Sequence, residues 1–431
     1  MQFPADRMIW IAAAVAVFAL SFLNIEFGLY VLIFSMLLSP EILVGQTAGS
    51  SLGRGVTLRL EDFLLLLIGF SWFAKTAVNK ELGLVLRTPL NQPIFLYLIV
   101  CLVATALGII GGRVDPKTGF FFVLKYFEYF VVFFVTVNYI RDSGQVKRFL
   151  FCLLLTGFIV SVVGLLQIPS GERVTAPFEG ERGEPNTFGG YLLFMAAIAG
   201  GLLSEARLTR NRHLLVLFLA FLVPPFLFAQ SRSSYLAVVP MLVVLGYLMQ
   251  KRVIIIGIMV LGLLVSPLFL PQSVKDRVLF TFTQQQQEGQ IQVGKMRLDT
   301  STSARINSWK EALADWTQHP VVGFGITGYH FVDAQFPRAL VETGILGLLA
   351  FLGLLYVLGK TAIQSLHTVK TPMFRGLTVG FIAGYAGLLV HAIGANTFII
   401  VRIMEPFWFF AGIVVALPAL EKVEEQGQVS F

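Results

Sequence analysis

Apolar runs long enough to cross a bilayer follow one another along almost the whole chain, and that pattern restricts the fold more than any motif does. A helix needs roughly 20 apolar residues to span the hydrocarbon. Runs of that kind, bounded by charge, Pro or Gly, fall at 8–23, 26–44, 61–79, 92–111, 119–140, 147–168, 187–204, 213–230, 234–250, 253–270, 340–359, 376–395 and 400–419. They predict an all-α polytopic integral membrane protein with about 12–13 transmembrane helices. In the first 44 residues only Asn24 and Glu26 interrupt the apolar sequence, so this stretch reads as a hairpin or as one long tilted element. With 56% hydrophobic residues, 40 Phe and 13% charged residues among 431, no soluble core can hide the apolar surface.

The opening MQFPADRMIWIAAAVAVFAL has no small-residue cleavage site and is expected to remain as a first helix. Cys101 and Cys152 lie in apolar runs, where a thiol behaves as a small hydrophobe, and they point to neither a disulfide nor a metal. Nothing repeats at a solenoid period, and low complexity is confined to Gln284–Gln287. The chain divides into amino-terminal helices (1–168), central helices with outer arginine-bearing loops (169–270), a long loop (271–339), carboxy-terminal helices (340–420) and a tail (421–431).

Basic residues in short loops set the orientation. Lys75, Lys80 and Arg87, then Arg141, Lys147 and Arg148, then Arg207, Arg210 and Arg212, then Lys251 and Arg252, then Lys360, Lys370 and Arg375 occupy alternate loops with few acids. Those loops are expected to be cytoplasmic, with the carboxy terminus on the same side. The segments 45–60, 169–186 and 271–339 then face outward. Topology accounts for most of the net charge of +7, so it is no signal for nucleic acid.

On the outward face stand Arg173, Arg182, Arg232, Arg305, Arg338 and Arg402, against the positive-inside bias. A membrane-edge arginine snorkels, pairs with an acid or serves function. Several on one face favour an anion site, because guanidinium forks match phosphate oxygens. In QSRSSYLAVVP the hydroxyls of Ser231, Ser233 and Ser234 flank Arg232; in ERGEPNTFGGYLL, Thr187 is placed to cap the next helix. SARINSWKEALADW carries Trp309, Ala312, Leu313 and Trp316 at helical spacing, which predicts an amphipathic helix along the membrane surface. Lys125 with Glu128, and Arg402 with Glu405, read as ion pairs inside helices. The outer loops show no Asp-x-Asp or His pattern for a metal ion.

The order SRSS near 231, SARINSW near 303, HPVVGFGITGY near 319, ETGILGLLAF at 342 and NTFIIVRIMEPFWFFAGIV at 396, with EPNTFGGYLL at 184, resembles the O-antigen ligase and Wzy-type polymerase superfamily over roughly residues 160–420. The resemblance implies a GT-C-like, metal-independent, inverting glycosyltransferase without cofactors. It would sit in the bacterial inner membrane with its site outside. The implied partners are a polyprenyl-diphosphate-linked glycan donor, a glycan or lipid acceptor, membrane lipids and possible companions in polysaccharide assembly. Outward arginines would bind the diphosphate, with Arg173 and Arg232 first and Arg338 third, and Arg182, Arg305, His391 and Arg402 as further cavity candidates.

Ligases of the superfamily place a His before the helix that opens with E-x-G; here Asp333 stands in that slot. Asp333 or nearby His330 is the expected base or hydroxyl orienter, while Glu342 is either a catalytic acid group or the partner of Arg338 one turn away. Asp333 tilts the expectation toward a polymerase of lipid-linked repeat units over a ligase to a lipid A core or protein. A transporter or flippase of a lipid-linked or anionic solute is the contrasting class, but no inverted repeat supports it.

Overall fold

The computed structural model describes residues 16, 19–40, 42–46, 55–78, 87–178, 183–206, 208–249, 272, 275–276, 279, 284, 290–293 and 296–428. Its helices are α1 (Ile25–Leu38), α2 (Leu60–Val78), α3 (Asn91–Ile110), α4 (Pro116–Tyr139), α5 (Ser143–Gln167), α6 (Pro185–Glu205), α7 (Thr209–Phe228), α8 (Arg232–Leu248), α9 (Thr300–Trp316), α10 (Gln335–Thr368), α11 (Pro372–His391) and α12 (Val401–Gln428). Two short antiparallel pairs join them: β1 (Ile42–Gln46) with β2 (Gly55–Leu58), and β3 (Gln292–Val293) with β4 (Met296–Arg297). Eight helices among the described residues are long and apolar enough to cross a membrane, with α1 and α8 shorter apolar helices beside them. The protein is therefore an α-helical, multi-pass membrane protein. All of the expected run 253–270 and most of 8–23 lie outside the described residues.

Local chemistry sets the helix ends. Asn24, Asp115 and Asp142 accept hydrogen bonds from the first-turn amides of α1, α4 and α5, and Pro116 starts α4 where its missing N–H costs nothing. The run 26–44 stops being helical at Leu38, because Ser39 precedes Pro40 and is held extended. Thr187 does not cap α6: the helix already begins two residues earlier, at Pro185, and Thr187 is buried inside the first turn.

The centre is built on close backbone approach. Gly376, Gly380 and Gly384 recur every four residues on α11 and face α6, where a Cβ on Gly201 would lie 2.3 Å from the Gly376 carbonyl oxygen and 2.3 Å from the Gly380 nitrogen. Small residues at that spacing let two membrane helices meet without side chains between them. Helix α12 packs on α4, and α10 packs on α3. Phe130, Phe133 and Tyr129 surround Trp408 in the seam between α4 and α12.

Helix α10 is broken at Gly344, which takes φ 65°, ψ −170°. The loop HPVVGFGITGY fills the break. Phe324 N–H donates to Val341 O at 2.9 Å and Gly325 N–H to Glu342 O at 2.8 Å, while Ile345 N–H donates to Pro320 O at 2.9 Å. Backbone groups that a kink frees must find partners, and this loop supplies them. A Cβ on Gly344 would sit 2.2 Å from the Val321 oxygen, so glycine is required there by contact as well as by φ.

Candidate functional site

The glycines of EPNTFGGYLL open space at one end of the bundle. A Cβ on Gly189 would come within 2.3 Å of Ser234 Oγ, and one on Gly190 within 3.1 Å of His391 Cε1. The first turn of α8 and the end of α11 therefore meet over α6. There Ser231 caps α8 and donates to Asn186 Oδ1 at 2.7 Å, and Ser234 Oγ lies 2.8 Å from Ser231 Oγ and 3.1 Å from His391 Nε2. His391 Nδ1 contacts Thr397 Oγ1 at 2.7 Å, so both ring nitrogens are engaged and the ring is fully buried. Ser233 Oγ donates to Gly394 O at 3.0 Å and joins α8 to the turn after α11.

Helix α9 closes over this corner. Arg232 grips Asp299 bidentately, Nη1 to Oδ1 at 2.8 Å and Nη2 to Oδ2 at 2.7 Å, and also reaches Thr302 and Ser301 hydroxyls. Burial pushes the Asp299 carboxyl up, but hydrogen bonds from Arg232, Thr302 and Ser301 outweigh that and hold it well below the usual carboxylate range. One turn along α9, Arg305 Nη2 donates to Asp333 Oδ2 at 2.7 Å, with side-chain exposures of 24% and 29%. The turn that carries Asp333 is fixed on both sides: Asn396 donates to Val332 O at 2.8 Å, and Gln335 bonds Ala392 O and the Phe398 amide. Arg305, Asp333, Ser233 and Gly394 thus form one partly open polar corner, floored by the buried His391.

A second arginine pair lies in the break of α10. Arg338 Nε meets Glu342 Oε1 at 3.1 Å with exposures of only 9% and 5%, and Arg338 lies over the rings of Phe122 and Phe331. Glu342 also accepts from the Thr327 amide at 3.2 Å, where Thr327 has φ 68°. These contacts seal both residues into the scaffold of the HPVVGFGITGY loop.

The remaining sequence candidates disperse. Arg173 donates from Nε to Ala229 O at 3.2 Å and from Nη2 to Gln230 O at 3.0 Å, at the corner between α7 and α8. Arg402 is buried and donates to carbonyls of Leu37, Pro177 and Ser39, so the expected Arg402–Glu405 pair does not form. Both side chains leave the same helix, but the guanidinium is drawn to the exposed carbonyls where α1 ends. His330 stacks on Tyr329 and lies 3.8 Å from Glu311, with its side chain 46% exposed. Arg182 lies outside the described residues. Among the described residues no three His, Cys, Asp or Glu side chains are grouped to hold a metal ion.

Asp299 escaped the sequence reading, although the polar string DTSTS before an amphipathic stretch is the usual start signal of a helix. Asn396 and Gln335 escaped because only the fold brings them beside Asp333. No curated protein matches the chain. Residues 213–352, which contain both arginine pairs and the Arg232–Asp299 clamp, match the family model described as O-Antigen ligase (Wzy_C), in support of the resemblance to the O-antigen ligase and Wzy-type polymerase superfamily.

Proposed function

We propose that the chain is a membrane glycosyltransferase that joins polyprenyl-diphosphate-linked repeat units into a cell-envelope polysaccharide, working at the outer face of the bacterial inner membrane. The observation that carries this reading is the partly exposed Arg305–Asp333 pair beside Ser233 and Gly394. A diphosphate oxygen competes with the Asp333 carboxylate for the Arg305 guanidinium, which suits phosphate at least as well. Asp333, released, accepts the proton of an incoming sugar hydroxyl. The hydroxyl oxygen attacks the anomeric carbon from the side opposite the diphosphate, the bond from that carbon to the diphosphate oxygen breaks, and configuration inverts. Arg305 offsets the charge on the departing diphosphate.

Arg232 here seats α9 through Asp299, and Arg173 shapes the α7–α8 corner; each acts on the site through the backbone it holds. Asp333 in the slot where superfamily ligases resemble one another in carrying His favours the polymerase over the ligase. The orientation is supported by the other end of the bundle, where basic loops are knitted by Arg375–Glu205, Lys370–Glu425 and the amides of Lys370 and Thr371, which donate to the Glu421 carboxylate.

The test is a purified lipid-linked repeat unit supplied as sole substrate. A ladder of products rising by whole repeats, with release of free polyprenyl diphosphate, is expected. A single transfer that occurs only after a lipid or protein acceptor is added replaces the polymerase with a ligase. Movement of the lipid-linked unit across vesicles without any transfer overturns the enzyme reading.

A further inference from the structure

A second concentration of charge is sealed within the bundle, on elements that the proposed reaction does not use. Lys125 on α4 meets Asp62 on α2 at 2.6 Å and Glu128 one turn away at 3.1 Å. Arg59, just before α2, meets Glu61 at 3.5 Å, its amide donates to Asp62 Oδ2 at 2.8 Å, and Ser39 donates to Glu61. Glu405 on α12 completes the group, with Glu61, Glu128, Arg59 and Asp62 as the charged groups acting most strongly on it. Arg402, one turn earlier on α12, donates to the carbonyls of Leu37, Pro177 and Ser39. All seven side chains are buried.

Charge does not balance here. Among the described residues Lys125 serves both Asp62 and Glu128, Arg59 meets Glu61, and no ion pair reaches Glu405. The excess has an address, because Glu405 is fully buried and neither of its oxygens has a hydrogen-bond partner among the described residues. An ionised carboxylate stripped of water and of donors is among the costliest groups a protein interior can hold, and the usual resolution is to bind a cation or to neutralise. The described carboxylates are not grouped for a metal ion, which leaves the smallest cation. Ionisable groups retained inside a membrane bundle in this way mark sites that take up and release ions or protons.

We propose that Glu405 is a binding site for one exchangeable proton, held on its own carboxyl within the buried charges of α2, α4 and α12. The site joins α2, α4 and α12, so loss of the proton adds an uncompensated negative charge among three helices and loosens their junction. It is distinct in residues from the Arg305–Asp333 corner, and its test does not require turnover.

Infrared spectroscopy of the purified full-length protein reads the site directly, because a protonated carboxyl has a carbonyl stretch separate from that of a carboxylate. At neutral pH wild-type protein is expected to show such a band that shifts on transfer to D2O and on labelling glutamate with carbon-13. The band should be lost in Glu405→Gln, whose melting temperature should stay within about 2 °C of wild type because a neutral amide replaces a neutral acid. Absence of the band from labelled wild-type protein overturns the proposal without recourse to any variant. So does its persistence in Glu405→Gln, or a large fall in that variant's melting temperature, which would mean the ionised form is needed. Saturable stabilisation of wild type by sodium or calcium that Glu405→Gln abolishes would replace the proton with a metal ion.

Discussion

Arg305–Asp333 and Arg338–Glu342 are both arginine–carboxylate pairs near the start of α10, yet they differ in almost every physical respect. The first links two elements across a half-open corner; the second closes one turn inside a single helix and is sealed by Phe122, Phe331 and the Thr327 amide. Access separates their roles. A pair that water and solute reach is worth little to stability and is free to exchange partners, whereas a buried pair is costly to break and fixes structure. Arginines that look equivalent in the sequence are therefore held in physically different ways.

The largest effect expected is on turnover at the open pair. Arg305→Lys keeps the charge but loses the fork, and should lower the initial rate of ladder formation about 100-fold, the scale for removing one donor to a leaving group. Its thermal stability should change by no more than about 1 kcal/mol. A normal rate at normal stability would take Arg305 out of the diphosphate's path and erase the contrast.

Glu342→Gln should do the reverse. It leaves the Arg338 charge buried without its counterion, and a loss of about 3 kcal/mol in stability is expected from thermal or denaturant unfolding. If the variant melts like wild type, the pair is not the scaffold described.

Asp299 gives a smaller, pH-dependent effect. Its pKa is lowered in the folded chain, so its contribution is fully present above the ordinary carboxylate range and is lost as pH falls through the depressed value. Asp299→Asn should lower the melting temperature at pH 7, and the gap to wild type should narrow only in strong acid. A gap already closed near pH 4, about where a free carboxylate titrates, would show that Arg232 does not hold Asp299 ionised.

Metal chelation should have the smallest effect, none on the rate, because Arg305 can supply the positive charge at the leaving group. Strict dependence on magnesium or manganese would place the reaction in another catalytic class.

How far the sequence carries depends on the range of the interaction. Apolar runs gave most of the described helices to within about four residues, since bilayer thickness is imposed on each segment separately, whereas α10 and α12 run on past the expected ends at 359 and 419 to Thr368 and Gln428. The Arg338–Glu342 and Lys125–Glu128 pairs were legible because they lie within one turn. The partners of Arg232 and Arg305 were not: Asp299 is 67 residues from Arg232 and Asp333 is 28 from Arg305, and only the docking of α9 joins them. Arg402 shows the opposite failure. Its helical neighbour Glu405 was the obvious partner in sequence, but carbonyls exposed at the end of α1, on the far side of the chain, hold it instead. His391 could be named as a candidate but not as a buried link between Ser234 and Thr397, because that depends on the glycine contacts under it.

Asp333→Asn, with donor binding and turnover measured on the same preparation, tests the central claim most directly. The amide keeps the shape of the side chain but cannot take the hydroxyl proton, and it weakens the hold on Arg305. Turnover should fall by about 100-fold or more, while affinity for the lipid-diphosphate donor stays level or improves and the melting temperature is preserved. Undiminished turnover, or a loss of donor binding in step with the loss of rate, would contradict the assignment of Asp333 as the group that accepts the proton.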